Sequence, residues 1–256
     1  MILAADIGNS NIVIGCFDNN DIMFVERLST NHRSTAMEYA VMIKTILELH
    51  DLNGERIDGG IISSVVPPLT NTLKMAMERL GCGEILAVGP GIKTGLRIML
   101  DNPAQLGSDR VADAVGAIDL YPAPLILIDM GTATTVSVID GEKNFLGGMI
   151  IPGLRVSLES LASRTSQLPT ISLTPAKKTI GTNTVDCMKS GIINGTASML
   201  DGVTERIEEE LGEKCTIVAT GGLAGIVVPF CKREIILDET LLLKGLRIIY
   251  AKNKHQ

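Results

Sequence analysis

The chain has 256 residues, with 23 Lys+Arg against 29 Asp+Glu, and this net charge of −6 argues against a nucleic-acid partner, whose phosphates call for a basic surface. With 45% hydrophobic and 20% charged residues, it has apolar side chains enough for a core and too little charge for disorder. Its length allows one large domain or two small ones, and no run approaches the ~18 apolar residues of a membrane span.

Residues 2–18, ILAADIGNSNIVIGCFD, read as an apolar strand ending in Asp6, a tight turn and a return strand. The start has no basic segment and reaches Asp6 early, which excludes an ordinary signal peptide. A helix is expected over Ser34–Leu52, opened by a capping box from Thr35 to Glu38. A strand at Gly60–Ser64 precedes a second helix, Leu69–Leu80, stopped by Gly81. Another strand follows at Glu84–Val88. Asn102-Pro103 reads as an N-cap and first helical residue ahead of Gly107-Ser108-Asp109-Arg110 and the helical VADAVGAIDL.

About half a chain after the first hairpin the pattern recurs as LILIDMGTATTVSVID at residues 125–140, with Asp129 and Gly131 in the places of Asp6 and Gly8. Glycine-rich loops are read at Gly147-Gly148-Met-Ile-Ile-Pro152-Gly153 and at Thr220-Gly221-Gly222, the latter after a strand at Cys215–Ala219. Thr184–Leu211 reads as a long amphipathic helix with an acidic end at Glu208–Glu210. Strands alternating with helices imply an α/β fold, and the repeated hairpin implies two copies of one unit, 1–115 and 116–256, facing each other across a cleft.

The turn Asp6-Ile7-Gly8-Asn9-Ser10-Asn11 has the parts a nucleotide's phosphates need. Glycine lets backbone N–H groups approach an anion, Asn and Ser add donors, and an Asp can hold hydrated Mg²⁺. These are also ordinary turn residues, but a second copy at Asp129-Met-Gly131-Thr132 favours a purpose. Asp109 beside Arg110 suits a base that stays ionised while the cation grips an anionic substrate. The alternative is a helix cap with a surface Arg110–Asp113 ion pair. Either glycine-rich loop could lie flat against a base or sugar. Both the P-loop and the dinucleotide glycine patterns are absent.

His32, His50 and His255 are isolated and read as solvated bystanders. The five cysteines form no C-x-x-C pair, which disfavours a disulfide framework or a zinc site and fits a reducing cytoplasm. Met37–Met42 and Met75–Met77 read as helix packing. With no Trp, three Tyr and four Phe, a base-stacking platform is also disfavoured.

Taken in order, the two Asp-x-Gly turns, the G-S-D-R segment, GGMIIPG and TGG closely resemble the type III pantothenate kinases, members of the acetate kinase, sugar kinase, Hsp70 and actin superfamily. The resemblance runs over essentially the whole chain and implies a pair of duplicated ribonuclease H-like α/β domains with ATP bound in a cleft between them. It implies transfer of the ATP γ-phosphate to the primary hydroxyl of pantothenate, giving 4′-phosphopantothenate for coenzyme A, in the cytoplasm. By the same resemblance Asp6, Ile7, Gly8, Asn9, Ser10 and Asn11 form the first phosphate motif, with Asp6 facing Mg²⁺ through water. Asp129, Gly131 and Thr132 belong to the second, with Asp129 at a monovalent cation, K⁺ or NH₄⁺, and Gly221 and Gly222 lie on the adenosine loop. Gly107, Ser108, Asp109 and Arg110 match the pantothenate segment, with Asp109 as the base. Thr184 matches a threonine supplied by the partner subunit of a homodimer with shared active sites.

Two positions depart from the family pattern. Ser108 stands where a small residue such as Ala is common, and Leu100 where many members have a pocket-lining Tyr. Two other readings compete: a non-catalytic regulatory or accessory protein of this fold, or a superfamily kinase or phosphatase acting on another substrate. Retention of Asp6, Asp109 and Asp129 together weighs against the first, and the G-S-D-R segment against the second.

Overall fold

A computed structural model describes residues 1–52 and 55–254. In chain order the elements are β1 (Ile2–Ile7), β2 (Asn11–Asp18), β3 (Asp21–Ser29), α1 (Ala36–Leu49), β4 (Gly59–Ser64), α2 (Pro67–Arg79), β5 (Glu84–Ala87), β6 (Arg97–Ile98) and α3 (Ser108–Leu120). The second half continues with β7 (Leu125–Met130), β8 (Ala133–Ile139), β9 (Asn144–Pro152), α4 (Leu154–Arg164), α5 (Thr184–Leu211), β10 (Thr216–Thr220), α6 (Ala224–Val227), β11 (Ile236–Leu237) and α7 (Leu241–Asn253). The protein is therefore α/β, built on two mixed sheets.

The first sheet has the order β3-β2-β1-β4-β5, and the second β11-β10-β7-β8-β9-β6. Read outward from β1 and from β7 they are one topology. Each has two antiparallel hairpin neighbours on one side and two parallel strands on the other. The short β6 adds a parallel edge to β9. Duplication of the Asp-x-Gly hairpin is thus part of a duplication of the whole sheet.

The chain divides into two compact units, and the division is not a single cut. Unit 1 takes Met1–Leu96, Asn102–Gly116 and the chain from Leu241 onward; unit 2 takes Arg97–Asp101 and Ala117–Thr240. The boundary expected at 115 falls beside the crossing inside α3, but the one-cut scheme leaves α7 in the wrong half. The reason is apolar burial. Leu243, Leu246, Ile248, Ile249 and Tyr250 of α7 share a core with Ala4, Phe17 and Ile61 of the first sheet and with Val111, Ala112 and Val115 of α3. At the contact of α3 with α7 a Cβ on Gly116 would come 2.8 Å from the Leu241 carbonyl oxygen, and one on Gly245 would overlap the Ala112 carbonyl. The two helices touch backbone to backbone.

On the opposite face of the first sheet, Leu3, Ala5, Ile7, Ile12 and Ile14 pack against Tyr39, Ile43, Leu69 and Leu73 of α1 and α2. The expected capping box is present: Thr35 Oγ1 accepts from the Glu38 N–H at 3.3 Å, and Glu38 Oε2 accepts from the Thr35 N–H at 2.6 Å. Unit 2 has its own core, in which Ile126, Ile128, Met130 and Val136 meet Leu154, Ile193 and Leu200. α5 covers the range expected of it, and of its acidic end Glu209 and Glu210 are exposed whereas Glu208 is not. Glu208 is buried and held by Lys214 at 2.7 Å and Arg233 at 2.6 Å.

Several smaller expectations change. Met77 is buried, as helix packing requires, whereas Met37, Met42 and Met75 are exposed. His50 is no bystander: its ring stacks on Phe24 with centroids 4.6 Å apart, and Nε2 lies 2.9 Å from Glu26 Oε1. His32 is exposed, and His255 lies outside the described residues. All five cysteines are unpaired, and burial pushes the Cys16 and Cys82 thiols up to about 11, as expected of core residues.

Candidate active site

In unit 1 the first hairpin forms as its pattern requires. Strands β1 and β2 pair as far as Ile7↔Ile12, and the turn closes with the Gly8 N–H on the Asn11 carbonyl at 3.0 Å. Asn9, Ser10 and Asn11 are exposed. Thr30, just after β3, fixes the turn from the side: its hydroxyl donates to the Gly8 carbonyl at 2.7 Å and its N–H to the Ser10 carbonyl at 3.0 Å. Asp6 lies on the sheet face that carries Ala4 and Ile61, beside Ser63 in the parallel register.

That register brings the G-S-D-R segment to Asp6. Ser63 Oγ is 3.0 Å from Ser108 Oγ, and the Ser108 hydroxyl also meets Ser64, accepting from its N–H at 2.9 Å and donating to its carbonyl at 3.1 Å. Asp109 is thereby set at the start of α3, where a carboxylate is favoured by the unpaired N–H groups of the first turn. Its Oδ1 accepts from the Arg110 N–H at 2.8 Å, and a Cβ on Gly107 would overlap that oxygen. Asp113 is buried, so the Arg110–Asp113 alternative, where the Asp113 carboxylate does act on the guanidinium, is not a surface feature. Burial pulls the Arg110 guanidinium below its ordinary pKa, with the Asp109 and Asp113 carboxylates opposing the shift.

In unit 2 the second hairpin pairs as far as Met130↔Thr134, closed by the Gly131 N–H on the Ala133 carbonyl at 3.1 Å. Asp129 pairs with Thr135 on one side and Thr220 on the other, so the TGG loop leaves the sheet beside it. Gly221 has φ of +88°, and a Cβ there would overlap Asp129 Oδ1 and come 2.7 Å from the Met130 nitrogen. Gly153, the N-cap of α4, lies against the turn, where a Cβ would overlap the Thr132 carbonyl oxygen and come 2.7 Å from that of Gly131. Gly222 follows, exposed.

The GGMIIP segment is a strand and not a loop. It forms β9, paired with β8 with a register shift at Val138/Ile139, and Gly147 and Gly148 supply φ values of +146° and +153° that other residues rarely adopt. Leu100 belongs to unit 2, and its side chain lies over Gly147, 3.6 Å from where a Cβ would stand. Thr184 is the exposed first residue of α5. The cap is Asn183, whose side chain accepts from the Asp186 N–H at 3.0 Å.

The carboxylates fit hydrated or shared cations better than an all-protein cage. Among the described residues no three His, Cys, Asp or Glu side chains cluster as metal ligands. Mg²⁺ bound to a nucleotide asks for one or two carboxylates and water, not more. The Gly221 approach to Asp129 likewise leaves that carboxylate beside bare backbone.

A family model described as type III pantothenate kinase matches residues 2–206. A type III pantothenate kinase of Halalkalibacterium halodurans is 41% identical over 253 residues, covering 99% of this chain and 100% of that one. One from Exiguobacterium sibiricum is 42% identical over 254 residues, with the same coverage of 99% and 100%. Among solved structures, the activator of 2-hydroxyisocaproyl-CoA dehydratase from Clostridium difficile, with bound ADPNP, matches with TM-score 0.57 at 16% identity, over 99% of this chain and 94% of that one. At that identity the likeness speaks to the fold.

Proposed function

Because the chain belongs to the type III pantothenate kinase family, we propose that it transfers the γ-phosphoryl group of ATP to the primary hydroxyl of pantothenate. The product is 4′-phosphopantothenate, the first intermediate toward coenzyme A. The observation that carries this reading is the Ser63–Ser108 contact, which sets the Asp109 helix start beside the strand end bearing Asp6. A phosphate turn and a base then share one rigid unit.

Asp109 takes the proton of the attacking hydroxyl, Arg110 holds the pantothenate carboxylate, and the turns that the Gly8 and Gly131 N–H groups close present Asn9, Ser10, Asn11 and Thr132 to the phosphates. Alignment carries most of the rate, because phosphoryl transfer asks little covalent work of a protein. Mg²⁺ held through water by Asp6, and K⁺ or NH₄⁺ at Asp129, would neutralise charge spreading over the transferred group. Gly221 and Gly222 border the adenosine, and Leu100 lines the pantothenate pocket with an apolar wall.

The protein acts as a homodimer in which Thr184 completes the partner's site. In support, Thr184 lies between Ile180 and Val185, which are 82% and 37% exposed, and unit 2 also exposes Ile150 at 72%. Apolar surface of this kind marks an interface when it is continuous. A cytoplasmic location fits the unpaired thiols, and among the described residues no helix is long and apolar enough to cross a membrane.

The test is direct. Purified protein with ATP and Mg²⁺ is offered pantothenate and, separately, hexoses, and products are read by mass. Phosphopantothenate formation that Asp109→Asn lowers by ~10²–10⁴-fold is the expected result. ATP consumption only with a sugar would reassign the substrate.

A further inference from the structure

We infer that Asp113 is a positioning residue for Arg110, holding the guanidinium ready for the carboxylate of the acceptor. This rests on the reading of Arg110 as the group that holds the pantothenate carboxylate. Residues 111–117 of α3 are buried without a break, and Asp113, at 3% exposed, is the one charged side chain in that run. A stretch of helix covered on every side is ordinarily apolar, because an ionised carboxylate taken out of water is costly unless another charge compensates it.

Two other carboxylates are buried among the described residues, and the structure around each explains it. Glu208 joins Lys214 and Arg233 at the end of α5, and Asp238 accepts from the Tyr121 hydroxyl at 2.9 Å and from the Thr240 N–H at 3.1 Å ahead of α7. Asp113 differs from both in having a residue of the site beside it. Arg110 stands three residues earlier on the same helix, a spacing that puts the two side chains on adjacent turns of one face, and the Asp113 carboxylate acts on that guanidinium.

Arg110 has use for such a partner. It is itself partly buried, and the desolvation that pulls its pKa down makes a compensating carboxylate worth more than it would be in water. Asp109 is committed elsewhere: its Oδ1 accepts from the Arg110 N–H at 2.8 Å, and the proposed reaction asks it for the hydroxyl proton. Asp113 is therefore the carboxylate that can stay on the guanidinium throughout. A guanidinium carries five N–H donors in a planar fork, enough for one fixed partner and for a substrate carboxylate on another edge. Held in this way, the fork meets the acceptor without first giving up the freedom of a long side chain, so the benefit falls on the binding of pantothenate.

The experiment compares Asp113→Leu, Asp113→Asn, Arg110→Met and the two double variants in steady-state phosphorylation of pantothenate, with thermal melts to confirm folding. Asp113→Leu is expected to raise the KM for pantothenate by about tenfold, the loss of one misaligned charge-assisted hydrogen bond, with the KM for ATP unchanged and kcat lowered by less than about threefold. Asp113→Asn keeps an acceptor oxygen and loses the charge, and should raise that KM by only about threefold. In the Arg110→Met background neither change should raise it further, because no guanidinium remains to be held.

A folded Asp113→Leu protein with a wild-type KM for pantothenate would overturn the inference, while a raised KM in Arg110→Met would leave the reading of Arg110 intact. An equal further rise in the Arg110→Met background would also overturn it, since that is what general loosening of α3 produces. A wild-type KM in Arg110→Met would bring down the reading of Arg110 and the inference together. If Asp113→Leu does not fold, Asp113→Asn decides. A rise of about threefold that disappears in the Arg110→Met background is expected, an unchanged KM being the refuting result.

Discussion

The two Asp-x-Gly hairpins share strands, register and topology, yet their turns are braced by different means. In unit 1 the turn carbonyls of Gly8 and Ser10 receive hydrogen bonds from Thr30. In unit 2 the corresponding surface is covered by glycine backbone: Gly153 lies on the Gly131 and Thr132 carbonyls, and Gly221 on Asp129 and Met130. A hydrogen-bonded brace can be weakened one bond at a time. A brace made of close backbone approach admits no extra atom, so duplication has preserved the site geometry while changing how each copy tolerates change.

The largest expected effect breaks that comparison at its sharpest point. Gly221→Ala places a Cβ on Asp129 and on the β7 backbone at a φ of +88°, so both clash and backbone strain oppose it. Destabilisation of about 3 kcal/mol or more is expected, read by denaturant titration. Gly8→Ala is its counterpart. There a Cβ would stand 3.1 Å from the Asn11 carbonyl oxygen, which relieves by a small shift, so a loss below about 1 kcal/mol is expected. Equal losses in the two variants would mean that the turns are not braced differently.

The next prediction concerns acid and separates the units again. In unit 2, burial raises the Glu208 pKa, but Arg233, Lys214 and the Cys215 N–H outweigh it and bring the carboxyl down to about 2 from an ordinary 4.5. A depressed folded value means that the stabilisation is fully present above pH 4.5 and is lost as pH falls toward 2. The shift corresponds to roughly 3 kcal/mol. Glu208→Gln should flatten the stability curve between those limits, and an unchanged acid slope would show that the cluster is not what acid loosens.

A salt exchange probes Asp129 in its glycine-covered setting. Replacing K⁺ by Na⁺ at constant ionic strength, which keeps screening fixed, should lower kcat several-fold. Equal rates would remove the monovalent cation from Asp129. The smallest effect belongs to the hydrogen-bonded brace: Thr30→Val deletes the bond to the Gly8 carbonyl and should cost about 1 kcal/mol in a thermal melt, leaving the second hairpin untouched.

Much of this was legible in residues that act locally. Alternating apolar runs around Asp6-x-Gly8 and Asp129-x-Gly131 set both hairpins, and the Thr35–Glu38 capping box began α1 as its spacing required. What stayed hidden depends on partners far along the chain. Ser63 and Ser64 read as the unremarked end of a strand, and only the fold shows that Ser108 completes their hydrogen bonding. Glu208 read as one of three acidic residues ending the helix, and only the fold brings Arg233 and Lys214 to it from beyond the helix. The GGMIIP glycines signalled a loop by composition, yet served a bulged strand whose close approach to β8 only glycine permits.

The backbone contact of α3 with α7 at Gly116 and Gly245 has a consequence for the order of events on the ribosome. Residues 117–240, all of unit 2 but its short Arg97–Asp101 strap, must be synthesised before α7 exists. At ordinary translation speeds that is a wait of roughly ten seconds. During it the α3- and α7-facing side of the first sheet, with Ala4, Phe17 and Ile61, lacks half its cover. Unit 1, though made first, is therefore finished last, and the helix that carries Asp109 locks into place only after the rest of the enzyme has emerged.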